Sequence, residues 1–327
     1  MTVLCLHPTD LDPYFNLATE EYLLKRFTDD IFMLWRSESS IVVGKHQNAL
    51  AEINHRYVRD HHIKVARRLS GGGTVFHDPG NLNFTFIKNV DRLEDVNFKV
   101  FTQPIVEVLQ KLGLDAYSTG RNDLLIGGKK ISGNAEHVFK KRVLHHGTLL
   151  FNSQLEKLRN ALKVDLSRFE DKAVQSNRSD VTNIAACLPH PMSVDEFARF
   201  IFEEVAQSFP KRQFLNFSDD DRQAIRQLRN EKYSQWDWIY GYSPKYKYRN
   251  ELATANGSLV FSLHVEKGKI KESHWEGAIS ANLSRKLSEK LVGINHAEEV
   301  LQPVIYELKT DLETEHIFAD RLLERLV

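Results

Sequence analysis

The sequence predicts an α+β protein with two domains, a large domain built on a mixed β-sheet and a small C-terminal α/β domain. Its 327 residues exceed the length at which a single hydrophobic core usually suffices. Short strand-like runs alternate with amphipathic helical stretches in the first half, and a separate strand–turn–strand precedes the last helices. These observations place the domain boundary at residue 245, so that the domains comprise residues 1–245 and 246–327.

The strands of the large domain are predicted from apolar runs and from alternation. Residues 31–35 and 41–44 are short apolar runs, and residues 63–66 and 74–77 lead into and out of a glycine-rich loop. Over residues 82–86 apolar and polar side chains alternate, which predicts a strand with one buried face.

A β-hairpin is predicted for residues 124–132, because two extended runs flank a pair of glycines. Residues 142–151 form a further strand-like run. Helical spacing of apolar residues predicts helices over residues 16–27 and 98–112, and the second of these stops at Gly113.

Helical signals dominate residues 153–240. Ser193 begins a capping box that opens one helix, and Ser218, followed by three aspartates, opens another. Residues 240–248 have the composition of a linker or an extended arm. Beyond them, residues 258–275 predict two strands joined by a turn, which two or three helices follow.

The composition excludes several classes of protein. Lysine plus arginine equals aspartate plus glutamate, at 44 each, so no global charge favours a nucleic acid or an anionic membrane as partner. No apolar run approaches the ~20 residues of a membrane helix, and the acidic N-terminal segment is unlike a signal peptide. With Cys5 and Cys187 as the only cysteines, a disulfide framework is excluded and a cytoplasmic protein is expected.

The glycine-rich loop of residues 67–78 is the most informative segment, because it places two arginines beside three consecutive glycines. Glycine adopts positive φ and lets a ligand approach backbone N–H groups closely. With arginine alongside, such a loop suits a phosphate. The competing interpretation is a glycine-rich hairpin beside a surface basic pair. The spacing matches neither a P-loop nor a dinucleotide-binding pattern, so nucleotide binding here needs another architecture.

Lys130, on the second strand of the hairpin, is the predicted catalytic lysine. Side chains alternate along a strand, so Lys130 and Ser132 would face one side of it, away from Ile131. Packing of Ile131 on a core would then direct Lys130 into a cleft. There its ammonium would lower the repulsion between a carboxylate and the α-phosphate of a nucleotide. A pair of solvated surface lysines is the alternative.

The histidines give weaker signals. His145 and His146 are adjacent on a strand, where they face opposite ways and cannot easily share one metal ion. We expect hydrogen-bonded, partly buried histidines there, and neither histidine is assigned as a metal ligand. His77 directly follows the glycine loop and is expected either to line the cleft or to pack the loop.

Three segments together resemble the lipoate–protein ligase A family. They are residues 67–81 (RRLSGGGTVFHDPGN), 120–135 (GRNDLLIGGKKISGNA) and 145–150 (HHGTLL). Further similar segments are residues 16–22, 42–48 and 179–184. The resemblance spans roughly residues 10–190, and the C-terminal extension is similar to the accessory domain of these ligases. It implies a mixed-sheet catalytic domain of the biotin/lipoate ligase type.

The resemblance implies a two-step reaction. (R)-Lipoate and ATP, with Mg²⁺, would give lipoyl-AMP and pyrophosphate. The lipoyl group would then pass to a lysine of a lipoyl carrier domain, in the E2 subunits of 2-oxoacid dehydrogenase complexes or in the glycine-cleavage H protein. By the family pattern, Lys130 contacts both phosphate and lipoyl carbonyl oxygens. The other residues implied in binding ATP or lipoyl-AMP are Arg68, Gly72, Gly73, Thr74, Val75, Phe76, Asn81 and Asp123. Those implied in binding lipoate are Gly73, His77, Lys130, Ser132 and Gly133.

Three other functions remain open. A lipoyl or octanoyl transferase would use a preformed donor without ATP, and a thioester route needs a cysteine nucleophile. Cys187 has apolar neighbours that are typical of an inert buried thiol. Biotin–protein ligase shares the architecture, but its characteristic Gly-Arg-Gly-Arg loop is absent. A non-catalytic sensor of nucleotide or acyl ligands would be expected to have lost Lys130 or the glycines, and both are intact.

Overall fold

The structure is a computed structural model that describes residues 2–92, 97–120, 122–162, 164–176 and 179–327. Its strands are β1 (Val3–Leu6), β2 (Asp30–Arg36), β3 (Ser40–Val43), β4 (Lys64–Arg67), β5 (Val75–His77), β6 (Asn81–Asn89), β7 (Ala116–Ser118), β8 (Asp123–Ile126), β9 (Lys129–Phe139), β10 (Arg142–Leu150), β11 (Phe169–Asp171), β12 (Arg212–Phe214), β13 (Tyr246–Thr254), β14 (Gly257–Glu266) and β15 (Lys269–Gly277). Its α-helices are α1 (Pro13–Arg26), α2 (Ala49–Glu52), α3 (His55–Asp60), α4 (Phe98–Lys111), α5 (Leu155–Ala161), α6 (Val194–Gln207), α7 (Asp219–Leu228), α8 (Ala281–Leu291), α9 (Glu298–Glu307), α10 (Lys309–Thr314) and α11 (Ala319–Leu326). Within the described residues, no helix has both the length and the apolar character needed to cross a bilayer.

The chain divides into two compact units. The first comprises residues 1–45, 63–160 and 176–235, and the second comprises residues 46–62, 161–175 and 236–327. Residues 46–62 and 161–175 therefore group with residues 236–327, whereas the sequence placed them in the large domain. One reason is that β11 pairs with β13, which joins residues 169–171 to the C-terminal sheet.

The first unit contains an eight-stranded mixed sheet in the order β12-β1-β2-β6-β10-β9-β8-β7. β1 runs parallel to both β12 and β2. The other neighbouring pairs along the sheet, β2–β6, β6–β10, β10–β9, β9–β8 and β8–β7, are antiparallel. The predicted large mixed sheet is therefore confirmed. The predicted hairpin of residues 124–132 is confirmed as β8 and β9, which place Asp123 and Lys130 on neighbouring strands.

Helices cover both faces of this sheet. One face packs on α4 and α6 in a core that includes Phe101, Ile105, Phe197 and Ile201. On the other face α1 lies close enough for Thr85 to donate a hydrogen bond to Glu20. Residues 81–87 of β6 are consequently buried on both faces, including the polar ones. The prediction of a half-buried strand was wrong because alternation does not reveal a polar second face that a helix covers.

The second unit contains a four-stranded antiparallel sheet in the order β11-β13-β14-β15, together with helices α8 to α11. Along β13, Tyr246 and Tyr248 are buried while Lys247 and Arg249 are exposed. The predicted linker or arm of residues 240–248 is therefore wrong from Tyr246 onward. Tyr246 and Tyr248 belong to the core of the unit, where the Tyr246 hydroxyl lies 2.7 Å from Nδ1 of His296.

Candidate active site

In the structure the glycine loop spans residues 68–74, between β4 and β5, and joins two strands that do not pair with each other. β4 runs parallel to β3, and β5 runs antiparallel to it, so β3 lies between them in a three-stranded sheet. The loop therefore passes over the carboxyl end of β3. The competing interpretation of a glycine-rich hairpin is wrong.

Both arginines at the start of the loop are buried, Arg67 with 0% and Arg68 with 5% of its surface exposed. Nη2 of Arg68 donates to the carbonyls of Gly71 (2.6 Å) and Gly73 (2.7 Å), and its Nη1 donates to a carbonyl of β3. Its Nε donates to Oγ of Ser70 at 2.9 Å. The guanidinium thus binds the loop to itself and to β3, which excludes the predicted alternative of a surface basic pair.

Two glycines of the loop are needed for close approach. Gly72 has φ +85°, a region that favours glycine, and a Cβ added there would lie 3.3 Å from Nη2 of Arg68. A Cβ at Gly73 would lie 3.1 Å from Oγ of Ser176. This hydroxyl accepts a hydrogen bond from the Thr74 N–H at 2.8 Å. Ser176 was missed in the sequence, since no spacing links it to the loop about a hundred residues earlier.

A β-bulge determines the direction of Lys130. Leu125 pairs with Lys130 and Leu124 pairs with Ser132, so Ile131 is an extra residue on β9. Ile131 lies in the hydrophobic core, as predicted, and Ser132 is also fully buried. The predicted sharing of one face by Lys130 and Ser132 is wrong, because a bulge interrupts strict alternation.

The Lys130 side chain lies along Gly133 and forms an ion pair with Asp123. A Cβ at Gly133 would lie 3.2 Å from Cε and Nζ of Lys130, and Nζ is 2.8 Å from Oδ1 of Asp123. The Lys130 side chain is 22% exposed. Its backbone N–H donates to the carbonyl of Asp180, and its carbonyl accepts from the N–H of Thr182. The ammonium is therefore held in place and still accessible.

A buried chain of hydrogen bonds joins the glycine loop to β10 and α1. Oγ of Ser70 lies 2.6 Å from Nε2 of His146, and Nδ1 of His146 lies 3.0 Å from Oε1 of Glu20. Thr85 donates to the same oxygen at 2.6 Å and accepts from Nε1 of Trp35 at 3.0 Å. His146 is thus a hydrogen-bonded buried histidine, as predicted. Glu20 was not assigned, although a carboxylate among the buried residues of α1 is a signal of such pairing.

His77 and Asn81 present unpaired polar atoms inside the first unit. His77 is 3% exposed, packs edge-on against Trp35, and its Nδ1 has no hydrogen-bond partner in the described chain. Asn81 donates to Oδ1 of Asn83 at 2.9 Å, while its own Oδ1 is equally unpaired among the described residues. Buried polar atoms are usually satisfied, so both atoms are suited to a ligand or water. Phe76 is 1% exposed, so its backbone is the part suited to ligand contact.

The burial of His77 predicts a dependence of stability on pH. Burial lowers the pKa of His77 to about 3, and Arg68 and His146 act in the same direction. The unfolded chain then binds a proton below about pH 6.5 that the folded chain does not bind. Lowering the pH from 7.5 to 5.0 should therefore cost about 2 kcal/mol through this residue. Urea unfolding of His77→Asn should show a pH dependence reduced by that amount, whereas the exposed-site control His190→Asn should match the wild type. An equal pH dependence in all three proteins would contradict the assignment.

The predicted site residues converge in the first unit from three segments of the chain. The glycine loop binds β10 through Ser70 and His146, and the N–H of Gly133 on β9 donates to Oγ1 of Thr148 on β10 at 3.2 Å. Loop amides and one ammonium can bind a polyanion and stabilise charge that develops on it. In the described residues, no group of three or more His, Cys, Asp or Glu side chains is arranged to hold a metal ion.

Two protein-family models match the chain. Residues 12–206 match the lipoyl protein ligase A/B catalytic domain, and residues 243–326 match the bacterial lipoate protein ligase C-terminus. The second match begins close to the predicted domain boundary.

Curated relatives are similar along most of the chain. Lipoate–protein ligase 1 of Staphylococcus aureus is 39% identical over 312 residues, which cover 94% of each chain. The lipoate-protein ligase LplJ of Bacillus subtilis is 40% identical over 265 residues, covering 80% of each.

Three solved structures are similar to this chain in fold. A bipartite ligase of Thermoplasma acidophilum, studied with its E2 lipoyl domain, is 26% identical with a TM-score of 0.64, covering 74% of this chain and 97% of that one. A lipoate-protein ligase A bound with ATP is 25% identical with a TM-score of 0.63, covering 74% and 100%. LipL1 of P. falciparum in complex with lipoate is 25% identical with a TM-score of 0.62, covering 95% and 97%.

Proposed function

Because this chain belongs to the lipoyl protein ligase A/B family, we propose that it is a lipoate–protein ligase. It activates (R)-lipoate with ATP to lipoyl-AMP and transfers the lipoyl group to a lysine of a carrier domain. In this proposal residues 1–245 form the catalytic domain and residues 246–327 form an accessory domain.

One observation carries the proposal: the glycine loop and the Lys130 strand both bind the His145–Thr148 segment of β10. The contacts are the Ser70–His146 hydrogen bond of 2.6 Å and the hydrogen bond of 3.2 Å from the Gly133 N–H to Thr148. A loop that directs the Thr74 N–H at an oxygen acceptor and an accessible ammonium suit the phosphate of an acyl-adenylate.

In the first step a carboxylate oxygen of lipoate attacks the α-phosphorus of ATP, and the bond from that phosphorus to the bridging oxygen breaks. Pyrophosphate leaves with the bond electrons, so no net oxidation occurs. Both reactants are anions, and the Lys130 ammonium would lie between them and stabilise charge on the phosphorus oxygens. Amides of Gly73, Thr74, Val75 and Phe76 would hold the phosphate, with the Thr74 N–H exchanging the Ser176 hydroxyl for a phosphate oxygen.

In the second step the amine of a carrier lysine attacks the carbonyl carbon of lipoyl-AMP. The carbon–oxygen bond to the phosphate breaks, AMP leaves, and the amine loses a proton to give the amide. The same Lys130 ammonium would stabilise the carbonyl oxygen as it becomes negative. His77 and Gly133 would line the acyl pocket, where each buried CH₂ contributes roughly 0.8 kcal/mol to affinity. Ser132, buried behind the bulge, would act on this pocket through its packing.

Mg²⁺ would enter with ATP. This ion is commonly bound by substrate phosphates and one or two carboxylates rather than by an all-protein cage, which fits a chain whose described residues lack a metal cluster. Asp123 and the unpaired Oδ1 of Asn81 are the oxygen ligands we assign to it or to the ribose. When bound, the ion would screen the charge of the phosphates.

The proposed protein partners are lipoyl carrier domains, namely those of E2 subunits and of the glycine-cleavage H protein. Support comes from the solved ligase of the same fold that was studied with its E2 lipoyl domain. The sequence offers no signal that separates these two carriers.

A pyrophosphate-release assay tests the activation step. With ATP, release should require lipoate and should not occur with biotin, and octanoate tests how far the acyl pocket discriminates. Addition of an E2 lipoyl domain or of H protein should then increase the carrier mass by one lipoyl group. Lack of pyrophosphate release with every acid would refute the adenylating ligase.

Cys187→Ser is expected to leave both steps unchanged. The thiol lies in the 3₁₀ turn Ile184–Cys187, packs against the hydrophobic core and donates to the carbonyl of Asn183, an environment unlike that of a nucleophilic thiolate. The assay is transfer to a carrier with and without ATP. Acyl transfer from a preformed donor without ATP, abolished in this variant, would favour the transferase instead.

A further inference from the structure

Asn134 lies in a notch that Gly147 creates on β10. A Cβ at Gly147 would lie 2.1 Å from Oδ1 of Asn134 and 2.4 Å from Cζ of Phe84. Both distances are far below any real contact, so only glycine at this position of β10 leaves room for the Asn134 amide. Asn134 itself is 6% exposed. The glycine of the His145–Thr148 segment therefore has a specific neighbour on the lysine strand.

The Asn134 amide connects two segments that flank the Lys130–Asp123 ion pair, the residue before Asp123 and the residue after the β9 bulge. Its Nδ2 donates to the carbonyl of Asn122 at 3.0 Å and to Oγ of Ser132 at 3.1 Å, and its backbone N–H donates to the same Asn122 carbonyl at 2.8 Å. Asn122 precedes Asp123, and Ser132 follows the bulge at Ile131. The Asn134 side chain thus connects the start of β8 to the β-bulge at Ile131, which determines the direction of Lys130.

The Asn122 carbonyl and His145 together fix the orientation of that amide. Because the Asn122 carbonyl is only an acceptor, Nδ2 of Asn134 must face it, which turns Oδ1 toward Nε2 of His145 at 3.2 Å. Nε2 therefore carries a hydrogen. Nδ1 of His145 lies 2.9 Å from Oε1 of Glu136, so this second contact also needs a proton, on the imidazole or on the carboxyl. Burial lowers the pKa of His145 while the Glu136 carboxylate opposes that shift.

We infer that Asn134 is a positioning residue for Lys130: seated at Gly147 and oriented by His145, it holds the Asn122–Asp123 segment against the β9 bulge. The consequence for catalysis rests on the proposed function, in which the Lys130 ammonium acts in adenylation. The hold on the segment itself does not rest on it. Asn134 is not placed in contact with either substrate, so its effect on adenylation must pass through the position of the Lys130 ammonium, which is paired with Asp123.

Hydrogen exchange tests, without any substrate, whether Asn134 stabilises the Asn122–Asp123 segment against the β9 bulge. Asn134→Ala removes both amide donors, and Asn134→Asp removes them while keeping the volume and an oxygen for His145. In both variants the amides of residues 122–125 and 130–134 should exchange about tenfold faster or more, as expected when two hydrogen bonds are lost. The β2–β6 ladder should exchange as in the wild type. Unchanged exchange at residues 122–134 in a folded variant would overturn the inference.

A double-mutant cycle tests the consequence for catalysis. In pyrophosphate exchange with lipoate, kcat of Asn134→Asp should fall about tenfold, with KM for ATP and lipoate within about threefold of the wild type. In a Lys130→Ala background the same substitution should have almost no further effect, because the group through which it acts is gone. A purely structural defect would lower activity by the same factor in both backgrounds, and that result would overturn the inference.

The two readouts separate this inference from the proposed function. A wild-type protein that adenylates no acid would refute the ligase proposal and the kinetic part of the inference, while faster exchange in both variants would still support the hold on the Asp123 segment. The exposed substitution Asn216→Asp is the matched control and should change neither readout.

Discussion

Lys130→Ala is expected to slow lipoate adenylation by at least ~10²-fold while the protein stays folded, because the substitution removes a charge contact made in the transition state. Lys130 reaches the site from a bulged strand, with its ammonium 2.8 Å from Asp123. Its side chain is one-fifth exposed, so the space that truncation leaves is open to water. Single-turnover formation of lipoyl-AMP, followed with radiolabelled ATP, measures the effect, and far-ultraviolet circular dichroism checks the fold.

Lys129→Ala is the matched control for this experiment. Lys129 is the preceding residue on β9, its side chain is 56% exposed, and its closest carboxylate is Asp180 at 3.9 Å. An exposed pair of this kind contributes little, so adenylation should stay within about twofold of the wild type. Equal losses in the two variants, or normal turnover in Lys130→Ala, would remove Lys130 from the catalytic role.

Arg68→Ala is expected to raise KM for ATP tenfold or more and to lower the free energy of unfolding by about 1.5–3 kcal/mol, the range for hydrogen bonds to charged groups. The guanidinium is 5% exposed and donates to Ser70, Gly71 and Gly73. Its removal leaves loop carbonyls without their donors, so the amides that would hold phosphate lose their arrangement. Initial rates at varied ATP and urea unfolding measure the two effects.

Arg68→Lys distinguishes a loop-holding arginine from one that only supplies charge. Lysine keeps the charge but cannot reproduce the planar set of donors, so it should be nearly as damaging as alanine in both measurements. If lysine restored most of the ATP affinity, charge alone would account for Arg68. Arg222→Ala is the control, because Arg222 is exposed and lies outside the glycine loop. It should change neither the KM for ATP nor the free energy of unfolding.

Much of the fold was predictable because local signals were strong. The capping box at Ser193 is formed as predicted and begins α6. Ser218 begins α7 as predicted, and the structure adds a capping box there with Asp221. The apolar spacing of residues 98–112 matches α4, which ends at Lys111. Gly127 and Gly128 both have positive φ in the predicted turn of the hairpin. In each case the residues that fix the element lie within a few positions of one another.

The parts that were not predicted depend on contacts between distant segments. The bulge at Ile131 arises where Asp123 pairs with Gly133 and Ile126 with Lys129, and a sequence does not show which strand receives the extra residue. The oxygen that meets the Thr74 N–H belongs to Ser176. Arg68 was predicted as a phosphate contact from the loop composition and the family resemblance. The sequence did not show that its guanidinium donates to carbonyls of the loop and of β3, because it did not show that β3 lies between β4 and β5.

A crystal structure with lipoyl-AMP bound tests the central claim most directly. The account predicts that the phosphate lies within about 3 Å of Nζ of Lys130 and of backbone amides between Gly73 and Phe76, the range of charge-assisted hydrogen bonds. The acyl chain should extend toward His77. A ligand bound away from both the glycine loop and β9 would contradict the account.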